Sequence, residues 1–250
     1  MPGRRGTIVL SLVMLAWIAA AFAGGAIAAG LLAAGSVLLR AVPGLAAIPA
    51  PGQIVYVLIA ASGFQGTLLL GALWQGRRAG GGDWRAGVGA RPIRHARPIV
   101  LLCAATIGWL FSFIGLAATF PALNEFAKSV TPGILSDLEH GGPVVVVLKI
   151  ALVAVLAPVS EELFFRGWMW EALRQRGYAG AMITVLTAVP WLLLHGIDSP
   201  GRILFLIPAA LIFSLARYVG GSVLASLAPH LTNNLAAVLV PLIGGLLEEG

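Results

Sequence analysis

The sequence predicts an all-α protein, a polytopic bundle of about seven transmembrane helices within a range of six to eight. Apolar residues make up 59% of its 250 residues and charged residues only 10%, a composition far outside that of soluble globular domains. Apolar windows of roughly 20 residues, enough to cross the hydrocarbon layer, recur along the chain. Most of the basic residues lie between these windows, as in membrane proteins whose connections carry the charge.

The predicted spans follow one another with short connections. They lie near residues 7–39, 53–74, 98–120, 143–173, 179–196, 202–218 and 221–243. The first and fourth are long enough to tilt or to protrude from the hydrocarbon layer. Arg4 and Arg5 before an apolar run also resemble the start of a cleavable signal peptide. That run continues to Leu39, well beyond the roughly 7–15 residues of a usual signal core, which favours a span.

The charge of the connections predicts the orientation of the spans. The connection 75–98 carries six Arg residues, Arg77, Arg78, Arg85, Arg91, Arg94 and Arg97. Under the positive-inside rule this connection is cytoplasmic, and counting spans from it places the N-terminus and Arg174, Arg176 and Arg217 on the same side. The net charge of +6 therefore indicates topology and contact with anionic lipid headgroups rather than binding of nucleic acid. The Ala-, Gly- and Arg-rich composition favours a bacterial inner membrane.

The two halves of the chain differ in the polar groups that their spans contain. Residues 1–142 place no acid and no histidine within a predicted span, so we interpret them as scaffold helices. Residues 143–250 are interpreted as the functional core, because every polar group predicted to be buried at membrane depth lies there. In the first span small residues recur at every fourth position, at Ala21, Gly25, Ala29 and Ala33. This repeat favours close approach of a neighbouring helix, although general Ala and Gly richness explains it equally well.

Two adjacent acids and an arginine interrupt the fourth span, in the stretch SEELFFR at residues 160–166. An isolated charge at the centre of a span costs about 2.5–3.5 kcal/mol on insertion scales, so these side chains need partners. Glu162 and Arg166 are four residues apart with the acid first, which predicts an ion pair on one helix face. Glu161 points about 100° away from Glu162 around the helix, so its partner must come from another helix.

The candidate partners of Glu161 are the two histidines that lie inside predicted spans, His195 and His230. At about 1.5 Å per residue from the cytoplasmic ends, Glu161, His195 and His230 lie roughly 17, 22 and 14 Å deep, all near the middle of the layer. Asn234 follows His230 by four residues and shares its helix face. Each feature alone also has a structural explanation, since buried Glu–Arg pairs and span histidines often serve packing. Their coincidence on three helices at one depth favours a functional site.

These residues form three motifs in order along successive apolar segments. They are E-E-x-x-x-R at 161–166, an aromatic-x-x-x-H at 191–195 and H-x-x-x-N at 230–234. The combination resembles the CPBP family of intramembrane proteases, which includes the CAAX-processing type II prenyl endopeptidases and bacteriocin-processing or self-immunity proteins. The resemblance covers roughly the last two-fifths of the chain. At one motif position the family more often has Phe, whereas this sequence has Trp191, which keeps an aromatic wall.

The resemblance implies a glutamate-type intramembrane endopeptidase with a catalytic core at 143–250. The implied site residues are Glu161, Glu162, Arg166, His195, His230 and Asn234. Glu161, steadied by His195, is expected to act as general base on a water. His230 and Asn234 are expected to stabilise the oxyanion, and Glu162 with Arg166 to orient and balance the site. The expected partners are membrane lipids and a membrane-associated peptide or protein substrate, and no cofactor is expected.

The same residues also allow other functions. Glu161, His195 and His230 match the three-ligand set of a catalytic zinc, although the chain has no H-E-x-x-H helix. A non-catalytic membrane scaffold or immunity protein would use the same helices as a binding surface. An ion-coupled transporter also places Glu, Arg and His at the midplane, but such folds usually contain repeats, and residues 1–142 have no counterpart to the later motifs. The residues do not specify the substrate or whether it is prenylated.

Overall fold

The computed structural model describes residues 4–43, 45, 51–130, 134–197 and 200–248, and these residues form helices and short connections without a strand. The helices are α1 (Arg4–Ala41), α2 (Gln53–Ala79), α3 (Trp84–Val88), α4 (Ala96–Thr119), α5 (Pro121–Val130), α6 (Ile134–Ile150), α7 (Ala157–Glu161), α8 (Trp170–Gln175), α9 (Gly180–His195), α10 (Pro200–Gly220) and α11 (Val223–Glu248).

Among the described residues, six helices are long and apolar enough to cross a membrane, and α9 is a shorter apolar helix. The prediction of an all-α bundle of about seven spans is therefore confirmed. The spanning helices begin and end within about five residues of the predicted spans. The agreement follows because the length of each continuous apolar stretch can be read directly from the sequence. Two connections contain helices that were not predicted: α3 lies in the Arg-rich connection, and α5 directly follows α4.

The N-terminal end of α1 and the Arg-rich connection lie at the same end of the bundle. Arg176 Nε, after α8, donates to the carbonyl of Gly6 in α1 at 3.2 Å. The backbone N–H of Arg94 donates to the carbonyl of Gly220 at the end of α10 at 3.1 Å. Two spans, α1 and α2, separate the N-terminus from the Arg-rich connection, so both must lie on the same side of the membrane. The assignment of this side to the cytoplasm stays a prediction. The side chains of Arg4 and Arg5 lie outside the described residues.

At this basic end of the bundle, three arginines form ion pairs with the buried Glu171. Glu171 is 1% exposed, accepts hydrogen bonds from Arg217 Nη2 and Arg174 Nε at 2.7 Å each, and pairs with Arg91 at 3.1 Å. Gly89 precedes Arg91 with a φ of +65°, and a Cβ there would lie 2.6 Å from Glu171 Oε1, so this turn requires glycine. Arg217, counted in the sequence among the charges of the connections, is instead a buried partner of Glu171.

The fourth span is a helix over Gly142–Gln175 that contains two π-helical segments. α6 is broken at Gly142, whose φ of 69° is left-handed, and the continuous helix starts at Pro143. The π segments cover Ala151–Leu156 and Glu162–Met169. Each inserts extra backbone into the helix and so changes which face the following side chains occupy, a device that is frequent at functional sites.

Side chains from two other helices bind backbone carbonyls of these π segments. Asn234 Nδ2 of α11 donates to the Val153 carbonyl at 2.9 Å. Arg217 Nε of α10 donates to the Arg166 carbonyl at 2.8 Å. Both contacts tie the π-helical backbone to a neighbouring helix, and in a medium without water they satisfy the donor groups of Asn234 and Arg217.

The first two spans pack closely through small residues. Ala21 is fully buried, and a Cβ on Gly25 would lie 2.6 Å from the carbonyl of Ala60 in α2. On the facing helix, a Cβ on Gly63 would lie 2.7 Å from the Gly24 carbonyl. The predicted close approach of a neighbouring helix is observed at Gly25, and the neighbour is α2.

We expect Gly63→Leu to destabilise the protein by about 1–3 kcal/mol, because a larger side chain must push α1 away from α2. Gly66→Leu is the matched control on the same helix, since a Cβ at Gly66 meets nothing within 4 Å. Thermal unfolding of both variants in the same detergent measures the difference. Equal unfolding temperatures for the two variants would contradict the close packing.

Candidate active site

Glu161 ends α7 directly before the second π segment, and its carboxylate lies between two other helices. The residue is 6% exposed. Its Oε1 accepts a hydrogen bond from Gln65 Nε2 of α2 at 2.8 Å. Its Oε2 accepts one from Trp191 Nε1 of α9 at 2.6 Å. The prediction that Glu161 is held from outside its own helix is therefore confirmed, with one amide and one indole as its direct donors.

Glu162 and Arg166 form the ion pair that their spacing predicts. Arg166 Nη1 lies 3.2 Å from Glu162 Oε1, and both side chains are completely buried. His230 Nδ1 of α11 also lies 2.8 Å from Glu162 Oε1. Arg166 Nε has a long hydrogen bond of 3.4 Å to the hydroxyl of Ser214 in α10. Glu162 thus connects the fourth span to His230, a link that the sequence alone did not indicate.

The two imidazoles face the same oxygen of Glu161. The Nε2 atoms of His195 and His230 each lie 3.9 Å from Glu161 Oε2. His195 Nδ1 lies 2.9 Å from the carbonyl of Trp191, which can only accept, so this nitrogen carries the hydrogen. In the neutral ring, Nε2 of His195 therefore presents its lone pair towards Glu161. Both histidines, expected from the sequence to partner Glu161, lie beside it without a direct hydrogen bond.

Aromatic rings fix the positions of these polar groups. His230 stacks on Phe213 with ring centroids 4.3 Å apart and an angle of 16°. The Trp191 ring lies 4.3 Å from the His195 ring and under the Arg166 guanidinium, whose Cζ is 5.0 Å from the indole centroid. Trp191 and Phe213 are 2% and 0% exposed. Rings packed this closely allow few rotamers, so the geometry of the site is held by the core.

Asn234 lies on α11 one turn from His230, and its amide takes part in a different set of contacts. Its Nδ2 donates to Val153, as described above, and its Oδ1 accepts from Asn233 Nδ2 at 3.2 Å. The structure thus brings five of the six predicted residues into one hydrogen-bonded or facing cluster. It places the sixth, Asn234, against the first π segment.

Gln65 is the site residue that sequence reasoning missed. It lies in the apolar stretch SGFQGTLLL, is 9% exposed and reaches Glu161 from the first half of the chain. Ser160 Oγ donates to Gln65 Oε1 at 2.5 Å, which sets the orientation of the amide. The expectation that every buried polar group lies in the second half is therefore wrong. A search of the spans for buried amides as well as acids and histidines would have found it.

A mainly apolar cavity of about 370 Å³ ends at this cluster. Its walls come from α1 and α2 on one side and from α9, α10 and the fourth span on the other. The polar groups among its lining residues are Gln65, Glu161, Trp191, His195 and Arg202. His195 is the more open of the two imidazoles, with 28% of its side chain exposed against 2% for His230. The carboxylate of Glu161 is thus accessible from an apolar chamber.

Residues 143–236 match the family model described as Rce1-like, type II CAAX prenyl endopeptidase. This match supports the resemblance of the three motifs to the CPBP family. The matched segment contains all six residues that the three motifs predict, whereas Gln65 lies outside it. Neither a curated protein nor a solved structure matches the chain.

The family match and the apolar helices together support a general class. The chain is an integral membrane protein with a segment similar to a family of proteases, that is, of peptide hydrolases. Carboxylate and imidazole groups beside an apolar cavity are able to carry general acid–base chemistry.

Proposed function

We propose that the chain is an intramembrane endopeptidase in which Glu161 activates a water for attack on a peptide bond. The observation that carries this proposal is the position of Glu161 Oε2, which lies 3.9 Å from the Nε2 atoms of both His195 and His230. Glu161 also lines an apolar cavity and lies in a segment similar to a protease family. The proposed reaction is hydrolysis, so no redox partner is required.

The attacking water is held between two acceptors. Glu161 Oε2 and the lone pair of His195 Nε2 cannot bond each other, but a water about 2.8 Å from both would donate one hydrogen to each. Glu161 then takes one proton as the water oxygen forms its bond to the carbonyl carbon. The same carboxyl later delivers this proton to the leaving amine as the carbon–nitrogen bond breaks. His195 keeps the water on the line of attack.

His230 is the proposed donor to the oxyanion. Glu161 and Glu162 bring two negative charges into a site where Arg166 supplies one positive charge, and a low-dielectric environment favours overall neutrality. A proton on His230, whose Nδ1 is already bound by Glu162, balances the remaining negative charge. Its Nε2–H can then donate to the oxyanion, a contribution typically worth about 2.7–4 kcal/mol. Asn234 supports this helix face by anchoring α11 to Val153.

The arrangement of donors favours the metal-free version of this mechanism. Zinc ligands lie about 2.0–2.2 Å from the ion, so two tetrahedral donors are roughly 3.3–3.5 Å apart, closer than the 3.9 Å between Glu161 Oε2 and either imidazole. Both oxygens of Glu161 also accept N–H donors. Within the described residues, no group of three or more His, Cys, Asp or Glu side chains is arranged to hold an ion.

The proposed substrate is a membrane-associated peptide or protein that places an apolar group in the cavity. The walls next to Glu161 include Phe22, Phe64 and Phe165 and the small residues Gly25 and Ala60. Such a wall accommodates an apolar side chain or a lipid modification equally well. The family description names prenyl endopeptidases, so prenylated and unmodified peptides are both tested.

The proposed function is tested with detergent-purified protein and a library of membrane-protein peptides, half of them prenylated, in water enriched in oxygen-18. We expect products that carry one heavy oxygen in the new carboxyl group with the wild type and none with Glu161→Ala. A membrane scaffold would yield no product that depends on Glu161, and that result would contradict the proposal.

Removal of metal is expected to leave the activity unchanged, because the proposed mechanism uses only side chains and water. The purified protein is incubated with a strong chelator, dialysed and assayed with and without added zinc. Loss of hydrolysis after chelation, followed by recovery with zinc, would overturn the metal-free mechanism in favour of a catalytic ion.

A further inference from the structure

Two N–H donors hold the carboxylate of Glu161, and neither has a role in the mechanism described above. Trp191 Nε1 lies 2.6 Å from Oε2 and Gln65 Nε2 lies 2.8 Å from Oε1. We propose that Trp191 and Gln65 are positioning residues that hold the Glu161 carboxylate and turn its Oε2 towards His195 and His230. This inference rests on the proposed function, since it assigns the residues that orient the general base.

The indole of Trp191 requires Oε2 of Glu161 to be a hydrogen-bond acceptor. An indole nitrogen is a donor only, whereas an amide or a hydroxyl can reverse its role by rotating. Oε2 therefore accepts from the indole with one lone pair, which leaves its other lone pair for the proton of the attacking water. Because Trp191 is 2% exposed and packed against Phe213 and His195, the ring has no room to turn away.

Gln65 acts on the other oxygen, and its own orientation is fixed by a neighbour of Glu161. Ser160 Oγ donates to Gln65 Oε1, which leaves the Nε2 end of the amide facing Glu161 Oε1. Ser160 and Glu161 are adjacent in sequence. Helix α7 therefore donates one hydrogen bond to Gln65 through Ser160 and accepts one from Gln65 through Glu161. With both carboxylate oxygens bound from α2 and α9, rotation about the terminal bond of Glu161 is blocked.

The positioning role predicts a change that loss of packing alone would not produce. Trp191→Phe keeps an aromatic ring but removes the donor, so the charged form of Glu161 loses one hydrogen bond. We expect kcat to fall about 10- to 100-fold, the usual range for one hydrogen bond to a charged group, with KM little changed.

A spectroscopic experiment tests the contact without relying on hydrolysis. The chain contains 7 Trp residues, and their indole N–H signals are resolved by nitrogen-15 labelling of the protein in detergent micelles. Trp191→Phe and Trp109→Phe assign two of them. Trp109 is the internal control, because its Nε1 is buried and has no hydrogen-bond partner among the described residues.

We expect the Trp191 signal to lie downfield of the Trp109 signal and to move upfield in Glu161→Gln. The Trp109 signal should stay constant throughout. A Trp191 signal that is the same in wild type and Glu161→Gln would overturn the inference. So would Glu161-dependent hydrolysis that keeps its kcat in Trp191→Phe. If the signals behave as expected while no peptide is cleaved, the positioning contact stands and the proposed function fails.

Discussion

Glu161→Gln is expected to lower kcat/KM by about 10²- to 10⁴-fold, the usual contribution of a general base. The replacement has nearly the same size and still accepts the hydrogen bond from Trp191 through its carbonyl, but it cannot take a proton from the attacking water. Initial rates of hydrolysis on a peptide found in the library measure the effect. The loss should appear in kcat, since the substrate binds mainly in the apolar cavity.

The matched control for this substitution is Glu125→Gln, which removes an exposed glutamate on α5. It should keep the wild-type rate, and both variants should unfold at similar temperatures. Addition of His195→Ala to Glu161→Gln should cost little more, because both residues act on the same water and their effects are not additive. A Glu161→Gln protein that retains its rate within tenfold would show that another group activates the nucleophile.

Arg166→Met is expected to destabilise the protein by about 3–5 kcal/mol, because it leaves one of the two buried glutamates without a balancing positive charge. Both side chains are 0% exposed and lie in a span, so water cannot compensate the loss. The indole face of Trp191 also loses the guanidinium that lies over it. Thermal unfolding in detergent measures this effect, and hydrolysis should be lost at the same time.

The double variant Glu162→Gln/Arg166→Met separates the structural from the functional role of the pair. It removes both charges together, so most of the stability should return. The activity should not return, because His230 then lacks the carboxylate that binds its Nδ1. Recovery of hydrolysis in the double variant would mean that the pair serves folding only. Equal instability of the single and double variants would contradict the charge argument.

Sequence reasoning and tertiary structure differ most at Glu161. Spacing along one helix correctly predicts the Glu162–Arg166 pair, because residues four apart face each other wherever the helix lies. It also predicts that His195 and His230 approach Glu161, since helix rise sets depth in the membrane. It does not predict Gln65 or the indole of Trp191 as direct donors. The division of the chain at residue 142 stays a prediction, and Gln65 connects the two parts that it separates.

The sequence by itself determined the spans and the ion pair, and it predicts a common depth for the chemistry-bearing residues. Each of these follows from transfer free energy and from distances along a single helix. Only the tertiary structure decided that Gln65 binds Glu161, that Asn234 turns to Val153 and that Glu162 holds His230. Contacts between helices depend on rotation and close packing, and the two π segments change the rotation within the fourth span. No spacing in the chain encodes that rotation, so the partners of a buried side chain on other helices become visible only once the helices are packed.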